Sequence, residues 1–341
     1  MPQRAGSPLD WLRERLPRIR AGAVSASWPA SVAVITDSAS ALPAEWIGTL
    51  PPDGRLAVLP MPIMVDGEIF GEGADDVGPA LALALAAAHP VHTSRPSPGQ
   101  FDRVLAAADD AGYRAAVVVV LSAKLSGTYE SAVLAAERSP LPTIVVDSGT
   151  AGMAQGFAVQ AAYAVAAAGG SAEETAAAAR AVAGGTELYF YVPSLDQLRR
   201  GGRIGLAAAW LGTVFAIKPI LALRQGAVVP LERVRTAARA IARLEEIVAA
   251  DVASRAPGTI AVAVHHFGNE PQARELAQRL RAASPRLGPV TLSPLPAVLG
   301  AHAGLGVLGV IVCGPPAAGP SDGPPGASAP PQPGSGAASS T

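Results

Sequence analysis

The chain is expected to fold as two α/β domains, the first a mostly parallel sheet flanked by helices and the second a further α/β unit. Three observations carry this expectation. From Ser31 onward, short β-branched runs alternate with helix-length segments, the pattern of βαβ units around a mostly parallel sheet. The 341 residues exceed what one ordinary core serves. Half of the residues are hydrophobic and only 16% are charged, so apolar surface to bury is plentiful.

Residues 1–30 read as an N-terminal extension. Within it, "LDWLRERLPRIR" has the pattern of a short basic amphipathic helix, solvated or loosely docked, with a transient membrane-surface contact as the alternative. No unbroken apolar core of signal-peptide length stands there. The first domain spans residues 31–150. Its strands are "SVAVITDS", "AVLPMPIMVDG" with prolines suited to an edge or bulge, "AAVVVVLS" and "TIVVDS". Helices are expected over Pro79 to Ala88, Pro98 to Ala111 and Thr128 to Ser139. Ser97 followed by Pro98 is a common helix-start signal.

The second domain spans residues 151–313 and opens with two alanine-rich helices. A strand at Leu188 to Val192 then leads through a short helix to the sharp turn Gly201-Gly202. Pro219 is expected to close the apolar helix that follows. A hairpin around Gln225-Gly226, a helix at Thr236 to Ala253, a strand at Thr259 to His265, a helix at Pro271 to Ala282 and two final strands complete it. Residues 314–341 are rich in Pro, Gly, Ala and Ser. They cannot bury enough side chain to offset the cost of ordering, and are expected to be disordered.

Composition excludes several classes of function. A formal net charge of -1 offers no basic footprint for nucleic acid. A single cysteine, Cys313, rules out an intrachain disulfide or a multi-cysteine zinc site and fits a reducing cytoplasm, the expected location. His265 and His266 are adjacent on a strand, so their side chains point to opposite faces, and no metal-ligand spacing appears elsewhere. The serine segments "KLSGTY", "TDSAS" and "VVDSGT" all lack the GxSxG elbow, and neither GxxxxGK[ST] nor a strand-linked GxGxxG is present.

What remains is a set of polar strand ends. Asp37-Ser38, Ser122 with Ser126, and Asp147-Ser148 all follow strands of one parallel sheet, whose carboxyl edge is where such folds bind ligands. Each alone reads first as a cap or turn; their recurrence on one edge raises the functional reading. Ser126, Gly127 and Thr128 stand at the mouth of a helix, where unpaired N–H groups and the helix dipole favour an anion. Thr93 and Ser94 lie in a second polar loop that can share that edge. Neutral donors of this kind suit a carboxylate on an apolar body.

Seven motifs, in order, carry a resemblance: "VITDSASALP", "VLPMPIMVDGEIF", "HTSRPSPGQF", "LSGTYESA", "VVDSGTAGMAQG", "LRRGGRI" and "IKPIL". They resemble the DegV family, bacterial fatty-acid-binding proteins that serve as acyl-presenting subunits of fatty acid kinase. The resemblance covers about residues 31 to 313. It implies a two-domain DegV-like fold with a long-chain fatty acid buried in it, a separate kinase as partner, and no cofactor or metal. The carboxylate is then held by Ser94, with neighbouring Thr93, and by Ser126 at the helix mouth formed with Gly127 and Thr128. His266 in "HHFGNE" is the better match to a family histidine near the head group. Arg203 is placed toward the site or the kinase-docking face, and Arg199 and Arg200 are docking candidates that equally suit a solvated helix end. The chain departs from the family at Arg95, where glutamine is usual, and at Leu305, where proline is common. A serine-dependent acyl-ester hydrolase and a lipid-filled scaffold are the competing readings. Residues 207–217 line either the pocket or ordinary core.

Overall fold

The computed structural model of the chain describes residues 31–72, 76–210 and 217–315. The N-terminal extension with its basic amphipathic segment, residues 211–216 of the expected apolar helix, and the tail beyond residue 315 lie outside the described residues.

In chain order the first half contains β1 (Val32–Asp37), a 3-10 turn (Ser38–Ser40), α1 (Ala44–Ile47), β2 (Leu56–Leu59), β3 (Pro62–Val65) and β4 (Glu68–Gly71). It continues with α2 (Gly78–Ala86), β5 (Val91–Thr93), α3 (Pro98–Asp110), β6 (Ala115–Val120), α4 (Thr128–Ala136) and β7 (Thr143–Asp147). The second half contains α5 (Met153–Ala167), α6 (Ala172–Gly184), β8 (Thr186–Tyr191), α7 (Asp196–Arg200) and a 3-10 segment (Gly205–Trp210). After these come β9 (Lys218–Arg224), β10 (Ala227–Val234), α8 (Ala237–Ser254), β11 (Ile260–His266), α9 (Glu270–Ala283), β12 (Leu287–Pro294), α10 (Ala297–Ala303) and β13 (Leu308–Cys313).

Strands β2-β1-β6-β7 form a wholly parallel sheet. All six residues of β1 and five of the six in β6 are buried. Ala33, Ile35, Val118 and Val120 pack on Phe101 and Leu105 of α3 and on Ala132 and Ala135 of α4. Val32, Val34, Val117 and Val119 face the other way, onto α5 and α6. A strand buried on both faces reads as a continuous apolar run, which is why "AAVVVV" announced itself.

The second sheet, ordered β10-β9-β8-β13-β11-β12, is antiparallel except for the β11–β12 pair. Its outer face packs on α8 and α9 through residues such as Leu244, Val248, Leu276 and Leu280. Its inner face meets α5, the helix shared by both sheets: twelve residues of α5 are buried, among them Ala154, Ala158, Ala161 and Ala162. Alanine on several sides of one helix allows β-sheets to approach it from two directions. The helices just after residue 151 therefore pack on β1, β6 and β7 as well as leading into the second sheet.

A third, three-stranded sheet, β4-β3-β5, is antiparallel and lies over the remaining inner face of the second sheet together with α2 and α10. It corrects the expected single strand across "AVLPMPIMVDG". Pro60 and Pro62 each lack the N–H a ladder needs, so the run breaks after Leu59 and its two halves join different sheets. The loop containing His92 and Thr93 likewise supplies a strand, β5. Pro219, expected to close a helix, is the second residue of β9, a position near a strand start that also tolerates proline. Helix α10, between the two final strands, had no sequence signal strong enough to set it apart from the apolar run around it. Among the described residues no helix is long and apolar enough to cross a membrane.

Candidate functional site

The carboxyl edge of the parallel sheet is organised by Asp37. Its carboxylate accepts from Ala39 N–H at 3.0 Å, Leu121 N–H at 2.9 Å and the Gln155 amide at 3.2 Å. Burial pushes this carboxyl up to about 6, against those hydrogen bonds. Asp147 accepts from Ala123 N–H at 3.2 Å and Gly149 N–H at 2.8 Å. The polar strand ends do converge, and Asp37 and Asp147 spend themselves on backbone groups. Their effect is to fix the segment from Leu121 to Gly127 in place.

That segment delivers Ser126. Its N–H donates to Ser122 O at 3.1 Å, and its Oγ lies 2.9 Å from Thr128 Oγ1. Opposite, Ser94 N–H donates to Pro62 O at 2.9 Å, anchoring the end of β5. The two loops touch through Arg95, whose side chain lies over Gly127. A Cβ built on Gly127 would stand 2.6 Å from Arg95 Nη1. Glycine at this helix cap makes room for the guanidinium.

Thr93, Ser94, Arg95, Ser126, Gly127 and Arg203 all line one cavity of about 540 Å³. The rest of its wall is mainly apolar: Met61, Leu125, Leu188, Phe190, Leu223 and Leu299 are among its residues. The volume falls within the range of small-molecule sites. Arg203 donates through Nε to Leu125 O at 2.9 Å and through Nη1 to Gly201 O, which pins the turn after α7 to the Ser126 loop.

Several expected residues stand elsewhere. His266 does not line the cavity; strand alternation along β11 turns His265 inward and His266 to the other face. Thr128 is fully buried beneath Ser126 and reaches the cavity only through that hydroxyl. Arg199 and Arg200 are exposed on α7, away from the cavity, with Arg199 3.7 Å from Asp196.

Two histidines line the cavity instead. His265 Nε2 accepts Met153 N–H at 2.9 Å, and its Nδ1 lies 3.0 Å from Ser293 Oγ, so the proton sits on Nδ1. His302 Nε2 lies 2.8 Å from Thr93 Oγ1. Burial lowers both to about 4, and the positive Arg203 adds to the effect on His302. Both are neutral. His302 was legible only as an isolated polar residue inside an apolar run. Among the described residues, no group of three or more His, Cys, Asp or Glu side chains is placed to hold a metal ion.

A second, more polar crevice of about 850 Å³ adjoins the first and is bordered by Ser148, Thr150, Arg180, Glu187 and Arg224. Leu223 lines both.

Fold and site together define an α/β protein of three sheets around a largely apolar cavity that also carries hydroxyl and arginine side chains on its lining. Residues 31–314 match the family model described as an uncharacterised protein of the DegV family. The chain belongs to the DegV family. It is 46% identical over 281 residues to a DegV domain-containing protein of Streptomyces coelicolor, covering 82% of this chain and 98% of that one. Among solved structures it is similar to a DegV family protein of Thermus thermophilus described by its fatty acid binding. The TM-score is 0.76 at 29% identity, with 83% of this chain and 99% of that one covered. It is also similar to DegV of Bacillus subtilis, described as a fatty acid binding protein. There the TM-score is 0.74 at 28% identity, over 83% and 99% of the two chains.

Proposed function

We propose that this protein binds a long-chain fatty acid in the apolar cavity and presents its carboxylate at the mouth to a separate fatty acid kinase, which forms the acyl phosphate. The observation that carries the reading is one cavity that combines an apolar wall with Thr93, Ser94, Ser126, Arg95 and Arg203 on its lining. The description of similar structures as fatty acid binding proteins supports it. A hexadecanoyl chain buries roughly fourteen methylenes at about 0.8 kcal/mol each, on the order of 11 kcal/mol before association costs. The tail supplies the affinity. Hydroxyl hydrogen bonds at about 1 kcal/mol each fix which end is where, and the arginines favour the ionised head group.

The protein itself performs no chemistry in this reading. Ser126 Oγ is paired with Thr128 rather than with a base. The hydroxyls that meet imidazoles are those of Thr93, on His302, and of Ser293, on His265. The charge acting on His302 is the positive Arg203, the opposite of the carboxylate that orients a catalytic histidine. A covalent serine probe is expected to leave Ser94 and Ser126 unlabelled.

Mass spectrometry of an organic extract of the purified protein tests the binding step. A stoichiometric fatty acid is expected, and a clean extract together with no uptake of added oleate or palmitate overturns the reading. Adding a fatty acid kinase and ATP tests presentation through formation of acyl phosphate; a bound lipid that is never phosphorylated marks a filler in a scaffold.

A further inference from the structure

Glu72, at the end of β4, is a partly buried acid that the head-group site does not use. Its carboxyl group accepts from Ser38 Oγ at 3.0 Å, from Ala297 N–H, and from Val298 N–H at 3.4 Å. Ser38 in turn accepts Met61 N–H at 3.1 Å, and Glu72 N–H donates to Met61 O at 3.3 Å. One side chain thus ties the turn after β1 and the start of β3 to the first residues of α10, 225 positions along the chain.

Helix α10 is seven residues long, fewer than two turns at 3.6 residues each, so it moves as a unit. Val298, Leu299, His302 and Ala303 of this helix all line the cavity. At its far end His302 meets Thr93. We infer that Glu72 is a positioning residue for the binding site: by gripping the first turn of α10, it sets where His302 holds the Thr93 hydroxyl at the mouth. The inference rests on the proposed fatty-acid reading for its effect on ligand affinity, though not for its effect on His302.

The surroundings of Glu72 give the device a pH signature. Burial pushes its carboxyl up to about 7, and the charge that acts on it is Asp37, a like charge at the end of β1. From α10 the titratable group is His302, which is neutral. The hydrogen bonds from Ser38, Ala297 and Val298 favour the ionised form, but burial outweighs them, so on balance ionisation of Glu72 works against the seated arrangement. As pH rises from 4.5 through about 7, the seat of α10 loosens and then levels off, and a glutamine at this position mimics the protonated form throughout.

The experiment compares the wild-type protein with Glu72→Ala, Glu72→Gln and His302→Ala, stripped of lipid, with palmitate and hexadecanol as probes. Glu72→Ala is expected to weaken palmitate binding about five- to tenfold, the effect of losing a helix-capping acceptor, and to leave hexadecanol unchanged. It is expected to add nothing in a His302→Ala background. Glu72→Gln is expected to restore binding at about pH 6 and to flatten the pH dependence between about 5 and 7, read as the ratio of wild-type to variant affinity. Equal losses for acid and alcohol, full additivity with His302→Ala, or an unchanged pH profile in Glu72→Gln would overturn the inference. If Glu72→Ala does not fold, the Glu72→Gln profile decides alone. The His302 imidazole NMR signals of the lipid-free protein separate this proposal from the function it rests on. A shift on Glu72→Ala without any palmitate binding keeps the positioning role and removes the fatty acid, whereas a His302 signal unmoved by Glu72→Ala removes the positioning role whatever the ligand.

Discussion

At the residue scale, the site is a balance of neutral donors against fixed charge. Ser94 and Ser126 offer hydroxyls from loops held by backbone hydrogen bonds, so either can be shortened without unfolding its loop. Ser94→Ala and Ser126→Ala are each expected to weaken fatty acid binding by about 1 kcal/mol, roughly fivefold, while leaving the melting temperature nearly unchanged. Calorimetry with delipidated protein checks this. His265 is a structural counterpart. It must stay neutral to accept Met153 N–H, and burial depresses it from 6.5 to about 4. Between those values the unfolded chain binds more protons than the native one, so this contribution is complete above pH 6.5 and is lost as pH falls toward 4. Thermal melts across that range are expected to show a shallower acid-side loss in His265→Gln, whose amide oxygen can still accept the bond. Asp37 has the opposite sign: its raised carboxyl favours the native state at low pH and loses that contribution as pH rises through about 6.

At the element scale, the short connections carry the geometry. The β9–β10 hairpin turns at Gln225 and Gly226, both with positive φ, and Ser122 Oγ donates to Gly226 O at 2.7 Å. A Cβ on Gly226 would stand 2.6 Å from Ser122 Oγ. Gly226→Ala is therefore expected to cost about 2 kcal/mol, combining left-handed strain with the damaged contact; urea denaturation measures it. The elements themselves were legible to different degrees. Strands β1, β6 and β7 announced themselves through β-branched runs, and α3 through Ser97-Pro98. The proline-broken run from Ala57 to Gly67 showed its edge character without showing that it serves two sheets. Pro219 misled because the residue that ends a helix also stands comfortably near the start of a strand.

At the scale of the whole molecule, the cavity exists because three sheets and α10 leave space between apolar faces that no single element fills. Leu188 and Leu223, cross-strand neighbours on β8 and β9, both line it, and Leu223 also borders the polar crevice beyond. Removing that partition is expected to lengthen the acyl chain accepted and thickening it to shorten the chain. Leu223→Ala should shift the co-purified fatty acids toward longer species by mass spectrometry, and Leu223→Phe toward shorter ones; an unchanged distribution in both would show that the limit lies elsewhere.

The sequence by itself determined the alternation of strand and helix, the apolar character of both halves, and the two hydroxyl loops. Each of these is written in neighbouring residues, as a period, a cap or a proline. Tertiary structure alone decided that His265 rather than His266 faces the cavity, that Thr93 meets His302 from 209 positions away, and that Glu72 grips α10. Such pairings join distant parts of the chain, and nothing in the local pattern of either partner records which surface will be folded against it.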